Sequence, residues 1–265
     1  MSEPLAAIPD TKEPNSGQAA VPLFDAYAPA EVAQRVRDVG VAKAAAPLTT
    51  TFMLALLAGA FIALGALFFT ITITTGASAA PAPYGLVRLA GGMTFSLGLV
   101  LVIVGGAELF TGNNLIAMAW ASKRVTTREL AHNWALVYLG NLIGAVGTAV
   151  LVWLADVHLL ADGAVGETMV RIAKTKVSLD PLTAVARGIL CNALVCLAVW
   201  LCMAARSVAD KILAIILPIS AFVACGFEHS IANLYFLPCG LFLAAQSASP
   251  IGWTDALANL VWVTV

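Results

Sequence analysis

CGFEHSIANLYFLPCG, residues 225 to 240, places Glu228, His229 and Asn233 inside an apolar tract that runs from Ile212 to Ala245. A charged residue at the centre of a bilayer costs about 2.5–3.5 kcal/mol on insertion scales. A spanning segment keeps one only where its helix is interrupted and the loose backbone is buried or lines a water-filled path. The fold turns on whether this stretch is such an interruption.

The rest of the chain favours a membrane. Hydrophobic residues make up 60% and charged residues 11%, with a mean hydropathy of +0.91. Soluble domains carry about 25% charged residues. The formal charge of −1 leaves no general attraction for nucleic acid. The five cysteines (Cys191, Cys196, Cys202, Cys225, Cys239) lie in or beside apolar tracts without a CxxC pair, which reads as packing rather than metal, redox or disulfide chemistry.

Residues 1–28 are expected to form a disordered cytoplasmic tail. The first 22 hold four prolines and no apolar run of signal-peptide type. From Pro29 to Lys43, Val32, Val36, Val39 and Val41 form an apolar stripe beside Arg35, Arg37 and Asp38, the pattern of a short amphipathic helix. The remainder, 29–265, reads as one all-α polytopic membrane domain. Tracts of spanning length cover about 48–74, 87–121, 130–155, 181–205 and 210–246. The final tract, Ala256 to Val265, is too short to cross, so either an interfacial stub or a sixth span cut short is expected there.

Lys and Arg set the orientation. Arg35, Arg37 and Lys43 precede span one, Lys123, Arg124 and Arg128 separate spans two and three, and Arg206 and Lys211 separate spans four and five. The loops 75–86 and 247–255 contain neither residue type. A cytoplasmic N-terminus is expected, with Arg171, Lys174 and Lys176 of the 156–180 loop dissenting.

Span two carries a second interruption, GAELFTGNN, with Glu108 and, five residues on, Asn113; in span five the pair is Glu228 and Asn233. Matched breaks point to an internal repeat of three plus three spans (about 48–155 and 181–265), inverted because an odd number of crossings reverses orientation. The breaks are expected near Gly112 and Ser230. The blander alternative is two glycine-kinked helices packed together, their Glu–Asn pairs only capping the kinks. His229 is the one histidine placed within a span, which makes it a functional candidate. A zinc site needs about four ligands at set spacings, and no such set is visible. No phosphate loop, Ser–His–acid pattern, haem histidine pair or Asn-Pro-Ala repeat is visible either. No cofactor is expected and the chain does not read as an enzyme.

FSLGLVLVIVGGAELFTGNNLIAMA (95–119), NWALVYLGNLIGA (133–145), GILCNALVCLAVWL (188–201) and FVACGFEHSIANLYFLPCG (222–240) resemble the formate–nitrite transporter family, over about 25–253 of the chain. The resemblance implies an aquaporin-like fold, a homopentamer in the inner (plasma) membrane, and one pore per protomer for formate, nitrite, hydrosulfide or similar small monovalent anions or their acids. It implies that His229 is the central pore histidine, facing Thr111, with Ser230, Asn233 and Asn192 nearby. It implies an apolar narrowing from Phe95, Leu99 and Phe222, with Leu109 and Phe110 beside it. Lys43 and Lys176 match lysines near the two vestibules, and Glu108 and Glu228 take structural positions. The family's sixth span carries a Gly-Asn counterpart of Gly140-Asn141, and the chain stops short of it.

A bare anion pays several kcal/mol to cross an apolar narrowing. Protonating a carboxylate of reference pKa near 3.9 at pH 7 costs about 4 kcal/mol. Bare conduction and proton-coupled passage through His229 therefore both stay open. Formate leads among the substrates because the central motifs resemble the formate branch. A nitrite or hydrosulfide channel, or a non-transporting anchor subunit, are the alternatives.

Overall fold

The structure is a computed structural model that describes residues 26–75, 82–244 and 251–264. Most of the expected tail, and parts of the loops at 75–86 and 247–255, lie outside the described residues. Its elements are α1 (Pro29–Ala44), α2 (Leu48–Ile73), α3 (Tyr84–Gly105), α4 (Phe110–Asn113), α5 (Ile116–Ala121), α6 (Thr127–Leu154), a 3-10 turn (Val157–Leu159), α7 (Ala164–Val177), α8 (Pro181–Ala204), α9 (Val208–Ala224), α10 (Ser230–Ala244) and α11 (Trp253–Thr264). No strand occurs among the described residues.

Helix starts coincide with their capping residues. Thr126 and Glu129 form a reciprocal box at α6, and Ser207 and Asp210 do the same at α9. Asp180 accepts from the Thr183 N–H at α8, whose first residue is Pro181. α1 lays Val32, Val36 and Gly40 against the rest of the protein, with Gly40 close to Ala119 of α5.

Four helices, α2, α3, α6 and α8, are long and apolar enough to cross a membrane. They match the first, third and fourth expected spans and the first part of the second. The fifth tract divides into α9 and α10, of 17 and 15 residues, each short of the roughly 20 that a crossing takes. Both long tracts are therefore broken. The first break falls at 106–109, earlier than Gly112, which sits inside α4; a second interruption comes at Asn114–Leu115. Gly106 is the reason: it takes φ 73° and ends α3 there.

The 156–180 segment is not the loop that its charges suggested but contains α7. Its buried positions, Val165, Met169, Ala173 and Lys176, recur every three or four residues, so the lysine stem completes an apolar face.

Small residues bring α2 against its neighbours. A Cβ on Gly59 would lie 2.1 Å from the Asn141 carbonyl, and one on Gly144 would lie 2.0 Å from the Leu56 carbonyl. Between membrane helices, where lipid is as apolar as leucine, such close approach supplies the packing energy. Outward-facing Met53, Leu57, Leu64 and Phe68 on α2 and Leu213 and Leu217 on α9 stay exposed.

Candidate functional site

The two breaks are built alike. At the end of α3, Gly106 has φ 73° and the Ala107 N–H donates to the Val102 carbonyl at 2.9 Å; at the end of α9, Gly226 has φ 72° and the Phe227 N–H donates to Phe222 at 3.0 Å. These left-handed glycines turn the chain off the helix axis and satisfy its last carbonyls. A glutamate comes next but one in each case. The Glu108 N–H donates to the Leu54 carbonyl of α2, and the Glu228 N–H to the Arg187 carbonyl of α8.

Each glutamate anchors a network of four residues. Lys43 of α1 reaches Glu108 at 2.7 Å, and Lys176 of α7 reaches Glu228 at 2.9 Å. The Asn113 amide donates to Glu108 at 2.7 Å and to Asn133 of α6 at 3.0 Å; the Asn233 amide donates to Glu228 and to Asn259 of α11, both at 2.8 Å. Asn133 then donates to the Lys43 carbonyl and Asn259 to the Lys176 carbonyl, closing both networks. A carboxylate removed from water needs such partners, or its desolvation goes uncompensated. Asn141 adds a support to the first break only, donating to the Ala55 and Glu108 carbonyls and accepting from the Phe110 N–H.

His229 lies directly after Glu228, 4% exposed, in the wall of two cavities. The larger, of about 340 Å³, is walled by Phe95, Phe222 and Phe236 and by Arg88, Arg171 and Arg187. The smaller, of about 220 Å³, is lined by Phe110, Thr111, Cys191, Asn192 and Ser230. Phe95 and Phe222 meet edge-on at 5.6 Å, and their rings stand 6.2 and 5.7 Å from the imidazole. His229 Nε2 is 3.4 Å from Thr111 Oγ1, and Nδ1 accepts the Ala232 N–H at 3.1 Å. The second bond occupies Nδ1 as an acceptor, so the neutral ring carries its proton on Nε2, facing Thr111.

The structure brings His229, Thr111, Ser230, Asn192, Phe95, Phe110 and Phe222 to these cavities. Asn192 Oδ1 is buried without a hydrogen-bond partner among the described residues. Leu99 and Leu109 are 2% exposed in the core and line neither cavity. Asn233 belongs to the network around Glu228. Lys43 and Lys176, expected near the two vestibules, are both paired, each ammonium lying 2.7–2.9 Å from a carboxylate. Lys176 is in the larger cavity's wall but 9% exposed, and Lys43 lines a small crevice beside Gly112. Sequence reasoning missed Asn133, Asn259 and the three arginines. Among the described residues, no three His, Cys, Asp or Glu side chains are grouped to hold a metal.

Membrane-length helices around two broken spans, with a buried histidine between cavities, define a polytopic helical membrane protein of the transporter class. Residues 30–265 match the family model described as Formate/nitrite transporter, and the chain belongs to that family. It is 45% identical over 231 residues to the formate channel FocA of Escherichia coli (strain K12), covering 87% of this chain and 80% of the relative. It is 38% identical over 235 residues to the uncharacterized transporter YrhG of Bacillus subtilis (strain 168), covering 88% and 85%. Among solved structures, a pentameric formate channel with formate bound superposes with a TM-score of 0.75 at 36% identity, over 82% of this chain and 90% of that one. An FNT family ion channel gives a TM-score of 0.78 at 27% identity, over 89% and 92%. These relatives are channels and transporters, not enzymes.

Proposed function

We propose that the protein is a homopentameric channel for formate and related small monovalent anions, each protomer carrying its own pore past His229. The observation that carries this reading is a single imidazole, flanked by Phe95 and Phe222, standing in the wall of both cavities. Its resemblance to the pentameric formate channel with formate bound supports both the substrate and the assembly.

The mechanism rests on cost. An anion in the larger cavity meets an apolar narrowing that a bare charge crosses only at several kcal/mol. The Nε2–H of His229 offers it a hydrogen bond, with the Thr111 hydroxyl as a second polar group. In the coupled step, Nδ1 gives up the Ala232 bond and takes a proton from water, and the ring passes its Nε2 proton to the carboxylate to give the neutral acid. The Nδ1 proton then returns to water as Nε2 is reprotonated, which restores the resting tautomer. The Ala232 N–H faces Nδ1 and disfavours a proton there, so the charged ring is an intermediate rather than the resting state.

We also read the two halves as an inverted repeat. The lysine-bearing helices α1 and α7 extend its units to about 29–154 and 164–264. The N-terminus is on the cytoplasmic side of the inner membrane, which puts the smaller cavity toward the cytoplasm.

Purified protein in liposomes, supplied in turn with radiolabelled formate, nitrite and hydrosulfide, tests the reading. Saturable formate flux above empty liposomes is the expected result. No flux of any of the three would remove it.

A further inference from the structure

The two breaks share a scaffold but not their surroundings. Arg88 of α3 donates to the carbonyls of Val223 and Ala224, and Arg187 of α8 donates to that of Gly226 at 3.4 Å, so two guanidinium groups cover the carbonyl end of α9. The first break is built without them. Leu54 takes the place of Arg187 as acceptor of the glutamate N–H. Val208 stands eighteen residues before Gly226, as Arg88 stands eighteen before Gly106. Arg171 of α7 joins the pair in the wall of the larger cavity, where its guanidinium lies 3.4 Å from Thr168 Oγ1.

Among the described residues, that wall holds four cations (Arg88, Arg171, Lys176, Arg187) and one carboxylate, Glu228. Lys176 and Glu228 cancel as an ion pair, which leaves three arginines without a carboxylate partner among the described residues. Residues 76–81 and 245–250 are GASAAP and AQSASP, which contain no acid to offset them. Among the described residues, the smaller cavity has no Lys or Arg in its lining.

We propose that Arg88, Arg171 and Arg187 form an anion-collecting site at the mouth of the larger cavity and make the channel's affinity for formate different at its two faces. This rests on the formate-channel reading. Charge focused in a cleft with low-dielectric walls raises the local concentration of the opposite ion. The smaller cavity has no such device. Arg88 and Arg187 also hold the break, so they are positioning residues as well, and Arg171, which touches no break carbonyl, isolates the collecting role.

The test is formate uptake at low salt into spheroplasts, which present one face, and into inverted vesicles, which present the other. Arg171→Gln is expected to raise the half-saturating formate concentration about threefold or more at the larger cavity's face, and to leave the other face unchanged. Arg171→Lys is expected to restore it, and about 1 M inert salt to erase the difference, since screening then acts within about 3 Å. An unchanged value at that face, an equal shift at both faces, or a shift that survives the salt would overturn the proposal. Binding is read apart from transport by the rise in melting temperature that sodium formate gives the purified protein over sodium gluconate at equal ionic strength. A rise in the native protein that Arg171→Gln diminishes supports the site even if native flux is absent, an outcome that would sink only the transport reading. No rise, or an equal rise in the variant, overturns the site.

Discussion

The break after Gly106 and the break after Gly226 share a left-handed glycine, a glutamate, a lysine from a flanking helix and two asparagines. They differ in the residue directly after the glutamate: Leu109 in one, His229 in the other. They differ again in what flanks them: Leu54 accepts the glutamate N–H at the first, where Arg187 does so at the second, beside Arg88 and Arg171 in the same cavity wall. The duplicated parts hold an interrupted chain inside a membrane domain. On the proposed function, the parts not duplicated carry the chemistry.

If the shared parts are structural, their removal should damage both halves, in proportion to burial. Glu228→Ala should cost about 3–5 kcal/mol, because it leaves Lys176 buried and unpaired. Glu108→Ala should cost less, since the Lys43 side chain is 26% exposed against 11% for Lys176. Melting temperature and oligomer size in detergent measure both, and a larger loss from Glu108→Ala would break the ranking.

For the asparagines the order reverses. Asn113 makes side-chain bonds to Lys43, Glu108 and Asn133, whereas Asn233 bonds Glu228 and Asn259. Either alanine variant should cost about 1–3 kcal/mol, Asn113→Ala the more. Gly106→Ala and Gly226→Ala should cost the same, about 1–2 kcal/mol each. Among the described residues, a Cβ would meet nothing within 4 Å at Gly106, and at Gly226 only Arg88 at 3.7 Å, so backbone strain decides. Unequal melting shifts would show that the two turns are not equivalent.

The smallest effect belongs to the exposed ion pair of Asp38 and Arg124. The Arg124 hydrogen bond holds the Asp38 carboxyl below the usual carboxylate range. Whatever the pair contributes is present above the ordinary aspartate pKa and lost as pH falls through the lowered one. Asp38→Asn should leave the melting temperature unchanged at neutral pH, because exposed pairs add little. A clear loss would mean that α1 is held from its outer surface as well as through Lys43.

Much of the scaffold was legible because lipid makes polar residues conspicuous. Glu108, Asn113, Glu228 and Asn233 stand out in apolar tracts, and their equal spacing already paired the two breaks. The lysine partners were not legible as partners. Lys43 lies 65 residues from Glu108, and Lys176 sits in a charged segment whose helical face shows only when the lysine stem is counted as apolar. The contact of Thr111 with His229 spans 118 residues and was expected from the family resemblance, not from spacing. Arg88 and Arg187 sit near span ends, where a basic residue ordinarily reads as an anchor. Nothing local shows that both turn toward the end of α9, Arg88 to the carbonyls of Val223 and Ala224 and Arg187 to that of Gly226.

The most direct test of His229 as the working difference between the breaks is formate uptake by liposomes from about pH 5 to 8, for the native protein and for His229→Asn. The native protein should move formate faster as the pH on the supply side falls. His229→Asn should assemble normally but lose that rise, any residual flux being flat with pH. A variant that tracks the native pH profile would contradict the account and reduce His229 to part of the wall.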